Sequence, residues 1–240
     1  MVQQQWYRRL GEATQGAKPV DSLESTVGSL SIEEAYSVQD RIITDRLKDG
    51  ERIIGWKVGA TSQAIMDQLG INEPVYGCMT SSSIHMSNTP VKSAAFCRLA
   101  VEGEIAFVMN KRLRGPGITP SDVLTATAGI MGAVELVDCR TKGWKPTIAE
   151  AVADNSLHAG LILGATMLPV SGLNLQTEGV ILTQNGRLVS SACGIEALGN
   201  PLNVVTWLAN KLAHFDHEIR EGEIILTGSL TEYFFVSPGD

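Results

Sequence analysis

The chain has 240 residues, 44% of them hydrophobic and 19% charged, a balance that suits a globular protein with a sizeable core and excludes disordered and fibrous classes. Nineteen Lys plus Arg against 26 Asp plus Glu give a net charge of -7 with no basic block, which argues against nucleic acid or an anionic membrane as partner. No run approaches the roughly 20 apolar residues of a membrane span, and Trp6-Tyr7-Arg8-Arg9 is not followed by an apolar signal core, so the expected location is cytoplasmic.

Residues 1–30 read as an N-terminal helical arm with a Gly/Ser/Pro-containing end, followed by one domain over 31–240. Ser31-Ile32-Glu33-Glu34 is a capping box, and apolar residues keep helical spacing from Ile32 to Leu47 until Gly50. Arg52 to Gly59 reads as a buried strand, and Ser62 to Leu69 as a short helix closed by Gly70. Thr80 to Ser93 is polar and irregular. Val101 to Met109 alternates as a strand does, Thr119-Pro120 caps a helix expected to reach about Ala128, and Ala133 to Val137 is a further strand. Thr147 to Asp154 looks helical. Val180 to Ser191 is a hairpin turning at Asn185-Gly186. Asn200-Pro201 opens a helix to about His214, and Glu223 to Thr227 is a last strand. Irregular alternation of helices and strands suits an α+β fold.

The common nucleotide-binding, serine-hydrolase and zinc-peptidase motifs are missing. Cys78, Cys97, Cys139 and Cys193 lie far apart and read as reduced, mostly buried small hydrophobes. His214 and His217 close a helix, where they complement its dipole. The chemistry concentrates in acids. In a strand of period two, Glu102 and Glu104 share a face, and two neighbouring carboxylates repel unless something positive lies between them. Glu135 stands in an apolar strand of its own, Ala133 to Val137. With no His or Cys nearby in sequence, three carboxylates make an all-oxygen site suited to Mg²⁺ or Mn²⁺. The alternative is plainer: Glu102 and Glu104 face solvent from an edge strand, and Glu135 meets an Arg. Spacing leaves both open. Lys57, inside Ile53 to Val58, either snorkels to solvent, the ordinary outcome for a lysine, or is an acid/base poised by burial.

The run GWKVGATS (55–62), EPVYG (73–77), VEGEIAFV (101–108), VELVDCR (134–140), VADN (152–155), GNPLNVVTWLANKL (199–212) and GEIILTGSL (222–230) resembles the hydratase/decarboxylase branch of the fumarylacetoacetate hydrolase superfamily, from about residue 30 to the end. The resemblance implies a mixed β-sandwich or β-roll with an N-terminal helical region, and Mg²⁺ or Mn²⁺ held by Glu102, Glu104 and Glu135. It also implies an active-site lysine at Lys57 and substrate-binding positions at Thr61 and Ser229. The implied substrate is a small 2-oxo or 2-hydroxy dienoic acid from catechol meta-cleavage. A hydratase adds water to a 2-hydroxy-2,4-dienoate to give a 4-hydroxy-2-oxo acid, and a 4-oxalocrotonate (2-oxohex-3-enedioate) decarboxylase uses the same metal site. A third possibility is a non-catalytic partner subunit of a hydratase–decarboxylase complex. Relatives also imply a homo-oligomer and a complex with the cognate pathway enzyme.

Details divide between the two reactions. Val75 stands where hydratases usually carry an Asp, and Gly55-Trp56-Lys57 resembles decarboxylases. Trp144-Lys145, Leu161-Ile162-Leu163-Gly164 and Ser229 resemble hydratases and tip the balance that way. Ala100 replaces a usual basic residue, leaving Arg98 as the nearest cation in sequence.

Overall fold

A computed structural model describes residues 1–240. Two helices and a short turn of helix come first: α1 (Val2–Gly16), α2 (Leu23–Thr26) and α3 (Ile32–Lys48). In α1 the residues at helical spacing, Trp6, Leu10 and Ala13, are buried. Trp6 and Leu10 join the same 32-residue core as the rest of the chain, and the Trp6 indole donates to Gly28 O at 3.1 Å. The capping box of α3 forms as read, with Ser31 and Glu34 bonding reciprocally.

The strands are β1 (Ile53–Gly59), β2 (Val75–Thr80), β3 (Ile84–His85), β4 (Ala100–Met109), β5 (Thr127–Val137), β6 (His158–Leu163), the hairpin β7 (Gly179–Gln184) and β8 (Arg187–Cys193), then β9 (Ile224–Leu226) and β10 (Phe234–Phe235). Between them lie α4 (Gln63–Leu69), α5 (Pro120–Thr125), α6 (Ile148–Ala153) and α7 (Pro201–Leu212). The main sheet runs β2-β1-β9-β4-β5-β6-β3, with β10 added to β4. Its β1–β9 and β3–β6 pairs are parallel and the others antiparallel. The architecture is a mixed sheet with helices, as expected for an α+β chain.

Alternation along β4 divides the sheet into two faces. Ile105, Phe107 and Met109 enter the large core with residues of α3, α6 and α7. Glu102, Glu104 and Ala106 take the opposite face, where Ala106 belongs to a small buried cluster with Met79, Ala133, Leu161 and Leu226. Polar chemistry is thus placed at the end of a small dry patch on the less heavily packed face.

Two local expectations are corrected. The helix after Thr119 ends at Thr125 rather than near Ala128, and β5 begins at Thr127, six residues before the strand read from sequence. Residues 127–132 contain Gly129 and Gly132 and lack a helical apolar stripe, and they pair with β4 from Met109 back to Ile105. The short β10 had no sequence signal and exists because it finishes the edge of β4. The hairpin forms as expected, with Asn185 and Gly186 at φ 53° and 77°. No helix is long and apolar enough to cross a membrane.

Candidate metal centre and active site

Register brings the acids together. Glu102 on β4 lies directly opposite Glu135 on β5, Glu104 follows on the same face, and one carboxylate oxygen from each of the three lies within 4.8 Å of the others. Because β4 is flanked by β5 on one side and by β9, residues 230–231 and β10 in succession on the other, the reading of Glu102 and Glu104 as solvent-facing residues of an edge strand is overturned. Glu104 and Glu135 are fully buried and Glu102 is the more open of the three.

The hydrogen bonds leave vacant acceptors. Glu104 Oε2 accepts from Gly228 N at 2.8 Å, while Glu104 Oε1 and Glu135 Oε2 are buried without a hydrogen-bond partner. Buried carboxylate oxygens are costly to leave unpaired, and three such groups at this spacing fit a hard divalent cation. Burial, then repulsion from Glu135, pushes the Glu102 carboxyl up to about 7. Burial and repulsion from Glu135 and Glu102 push Glu104 well above the usual carboxylate range. Glu135 goes the other way. Burial is the largest single influence on it and opposes ionisation, but the Lys57 ammonium and the His158 hydrogen bond together outweigh it and hold its carboxyl low.

Lys57 does not snorkel. It is buried at 4% exposure, donates to Ser156 O at 2.8 Å and sits 3.4 Å from Glu135 Oε2. Burial, its largest single influence, favours the neutral amine, and attraction to Glu135, Glu102 and Glu104 overcomes that and raises its pKa. The carbonyl that receives Lys57 is carried by an unusual turn. Asn155, Ser156 and Leu157 all adopt left-handed backbone, at φ 54°, 50° and 64°, which costs an L-residue roughly 1–2 kcal/mol each. Asn155 holds the turn against β2 by bonding both the N–H and the C=O of Cys78 at 2.8 Å, and Ser156 Oγ donates to Tyr76 O at 2.7 Å. A side chain at Gly77 would lie 2.5 Å from Asn155 O, so the close approach depends on glycine.

His158 is the residue that sequence reading missed. Its Nδ1 lies 2.8 Å from Glu135 Oε1, so Glu135 meets a lysine and a histidine rather than an arginine. Burial lowers the pKa of His158 despite its carboxylate neighbour, and a neutral ring donates Nδ1–H to fix the carboxylate. The sequence signal was its position three residues after Asn155 in a chain of four histidines, visible only once β6 is known to pair with β5. Behind it, Arg140 donates to His158 O at 3.3 Å and pairs with Asp154 at 3.2 Å.

Thr61 is buried beside this centre. Gly228, at φ 90°, brings its backbone so near that a Cβ there would be 2.5 Å from Thr61 Oγ1, and the same glycine donates to Glu104. Ser229 follows, partly buried, with its hydroxyl turned to Thr231 O. Val75 pairs with Gly59, and the open side of Gly59 is shared by Lys57 Nζ and Val75 Cγ2, 3.4 and 3.7 Å from where its Cβ would be. All four cysteines are free, Cys78 and Cys139 buried and the other two partly so.

Comparison with known proteins meets this geometry. The profile for fumarylacetoacetate (FAA) hydrolase C-terminal matches residues 56–240. The chain belongs to the fumarylacetoacetate hydrolase family. Within this family it is 40% identical to a 2-hydroxypent-2,4-dienoate hydratase of Pseudomonas putida, over 82% of this chain and 89% of that one. It is 34% identical to a 2-hydroxyhexa-2,4-dienoate hydratase of Comamonas testosteroni, over 97% and 89%. The 4-oxalocrotonate decarboxylase of Pseudomonas putida G7, solved in complex with magnesium and adipate, superposes with a TM-score of 0.94 at 30% identity, covering 99% of this chain and 90% of that one.

Proposed function

We infer that the chain is a divalent-metal-dependent lyase that hydrates a 2-hydroxy-2,4-dienoate to a 4-hydroxy-2-oxo acid. The observation that supports this most is the buried Glu102, Glu104 and Glu135 cluster, with two carboxylate oxygens that accept no hydrogen bond, beside the buried ammonium of Lys57 in a chain similar to dienoate hydratases. Glu102, Glu104 and Glu135 would hold Mg²⁺ or Mn²⁺. When bound, such an ion supplies Lewis-acid stabilisation of negative charge on the oxygens of a 2-oxo or 2-hydroxy acid.

The protein's own groups handle position and protons. Glu135 is locked by His158 and Lys57, so one ligand arrives with its orientation set and its charge in place. Lys57 Nζ holds a transferable proton at the inner wall. Its charged form is maintained by the three acids against burial, so once their charge is engaged elsewhere, burial acts with less opposition and Lys57 becomes a stronger acid. The Ser156 carbonyl keeps the ammonium aimed while the proton moves. Thr61 and Ser229, beside Gly228, are the positions for substrate polar groups.

Decarboxylation is the second reading, and the apolar Val75 beside Lys57 favours it: no carboxylate stands there to relay a proton for water addition. The test presents the purified chain, with Mg²⁺ and then with chelator, with 2-hydroxypenta-2,4-dienoate and separately with 2-oxohex-3-enedioate, reading products by mass spectrometry. Chelator-sensitive gain of water on the first is the expected result. Loss of CO2 from the second alone moves the assignment to decarboxylase, and silence on both overturns both readings in favour of a partner-subunit role or a substrate outside this pathway. Assembly as a homo-oligomer, alone or with the cognate pathway enzyme, is part of the proposal and is read from the mass in solution.

A further inference from the structure

The segment after Gly228 does more than close the sheet. It runs antiparallel along β4, with Leu230 N donating to Gly103 O and Thr231 Oγ1 accepting from Gly103 N, and then Phe234 pairs with Val101 and Phe235 with Ala100. Paired residues of antiparallel strands share a face. Phe235 therefore shares the face of Ala100, Glu102 and Glu104, and Tyr233, two residues earlier, is brought back to the same side. Thr231 at Gly103 and Phe234 at Val101 hold Tyr233 along the stretch of β4 that carries Glu102, the most open of the three acids.

Tyr233 is not alone there. Its ring centroid is 5.0 Å from that of Trp144 and 5.4 Å from that of Phe235, and Trp144 and Phe235 are 4.9 Å apart. The Arg98 guanidinium sits over Phe235 at 3.5 Å from the ring centre. Trp144 reaches the group from the loop after β5 through left-handed backbone at Gly143 and Trp144, φ 75° and 56°, a conformation a tryptophan adopts only when its surroundings hold it. Tyr233 is 46% exposed, and the register sets this aromatic group along the face of β4 that carries Glu102 and Glu104.

The geometry points to a distal substrate subsite made by Trp144, Tyr233 and Phe235, which receives the hydrocarbon tail of an unsaturated 2-oxo or 2-hydroxy monoacid whose carboxylate end would be anchored by the divalent ion that the three glutamates would hold. This rests on the functional reading above and deepens it. The three acids and Lys57 define the charged end of the substrate and are blind to its length. The aromatic wall is the part that discriminates, because flat apolar surface rewards each added methylene. Arg98 is engaged on Phe235 and steadies that ring, so the tail preferred here is apolar.

Calorimetric titration of the Mg²⁺-loaded full chain with pyruvate, 2-oxobutanoate, 2-oxopentanoate and 2-oxohexanoate tests this without turnover. Affinity is expected to rise about fourfold per methylene along the longer acids, the equivalent of about 0.8 kcal/mol for each buried methylene. In Tyr233→Ala and Trp144→Ala the rise should fall below about twofold, with pyruvate affinity unchanged, and Tyr233→Phe should restore it. Tyr233, being half exposed, can be replaced without unfolding the chain, and circular dichroism checks this. An undiminished rise in both alanine variants, or an equal loss for pyruvate and the longer acids, overturns the subsite. Failure of wild-type protein to bind pyruvate with Mg²⁺ instead overturns the metal-centre reading, and the subsite falls with it.

Discussion

Replacing Glu102 by Gln sets two properties of the site against each other. In the metal-free protein the Glu102 carboxyl is raised from 4.5 to about 7, mainly by burial and then by Glu135, with Lys57 partly offsetting them. An acid whose pKa rises on folding keeps its proton longer in the folded state. The destabilisation is therefore absent below the unfolded value, grows as pH climbs from about 4.5, and is complete above about 7. At pH 8 it amounts at most to roughly 3 kcal/mol, an upper figure because Glu102 keeps some solvent access. Glutamine has the same shape without the charge. The metal-free Glu102→Gln protein should thus be more stable than wild type at pH 8, by up to about 5–10 °C in melting temperature for a chain of this size, with the gap closing toward pH 5. Saturating Mg²⁺ should reverse the order, since a ligand at about 100 times its Kd adds roughly 2.7 kcal/mol to wild type and little to a variant short of one acid. Scanning fluorimetry across pH, with Mg²⁺ and with chelator, reads both effects. A variant less stable than wild type in chelator at pH 8, and still stabilised by Mg²⁺, would refute the reasoning.

Other perturbations separate the roles of neighbouring residues. Lys57→Met should lower kcat by about 10²–10⁴, the usual worth of a proton-transfer group, while Mg²⁺ still binds in calorimetry; loss of binding would make Lys57 structural. His158→Ala removes the bond that fixes Glu135 and should weaken Mg²⁺ binding by about 10–100-fold, measured by competition with a metal indicator. Because the Glu102 carboxyl is raised to about 7, it takes up a proton below that pH that the metal must displace, so Mg²⁺ affinity should fall as pH drops below about 7, and a flat pH profile would count against this ligand. Asn155→Ala should destabilise the chain by about 2–4 kcal/mol in denaturant unfolding, since it strands both polar groups of Cys78 and leaves alanine in left-handed backbone.

What was legible in the sequence was whatever local pattern determines. The capping box at Ser31, the Asn185-Gly186 turn and the alternation around Glu102 and Glu104 each encode their geometry within a few residues, and all three formed as read. Glu135 was singled out because a lone acid in an apolar strand needs a partner. Its actual partners were not legible, since Lys57 lies 78 residues before it in the chain and His158 lies on a strand whose apolar run gave no clear period. The burial of Lys57 was likewise set by strands paired far along the chain rather than by its neighbours. The start of β5 was misplaced for a related reason: glycines at 129 and 132 erase the alternation, and only pairing with β4 makes that segment a strand.

The left-handed run at Asn155–Leu157 shows how those distant choices serve one end. Three consecutive residues in that region are unfavourable. They do turn the Ser156 carbonyl toward Lys57 and deliver the chain into β6, so that His158 meets Glu135. Gly77 removes the side chain that would block the turn, and Asn155 satisfies the N–H and C=O of Cys78 on the outer edge of β2. A single strained turn thereby fixes both the proton-carrying lysine and the orienting histidine against the same carboxylate. The strain is retained because relaxing it would release two groups at once, and that is the arrangement expected where the relative position of an ammonium and the carboxylate proposed as a metal ligand decides the chemistry.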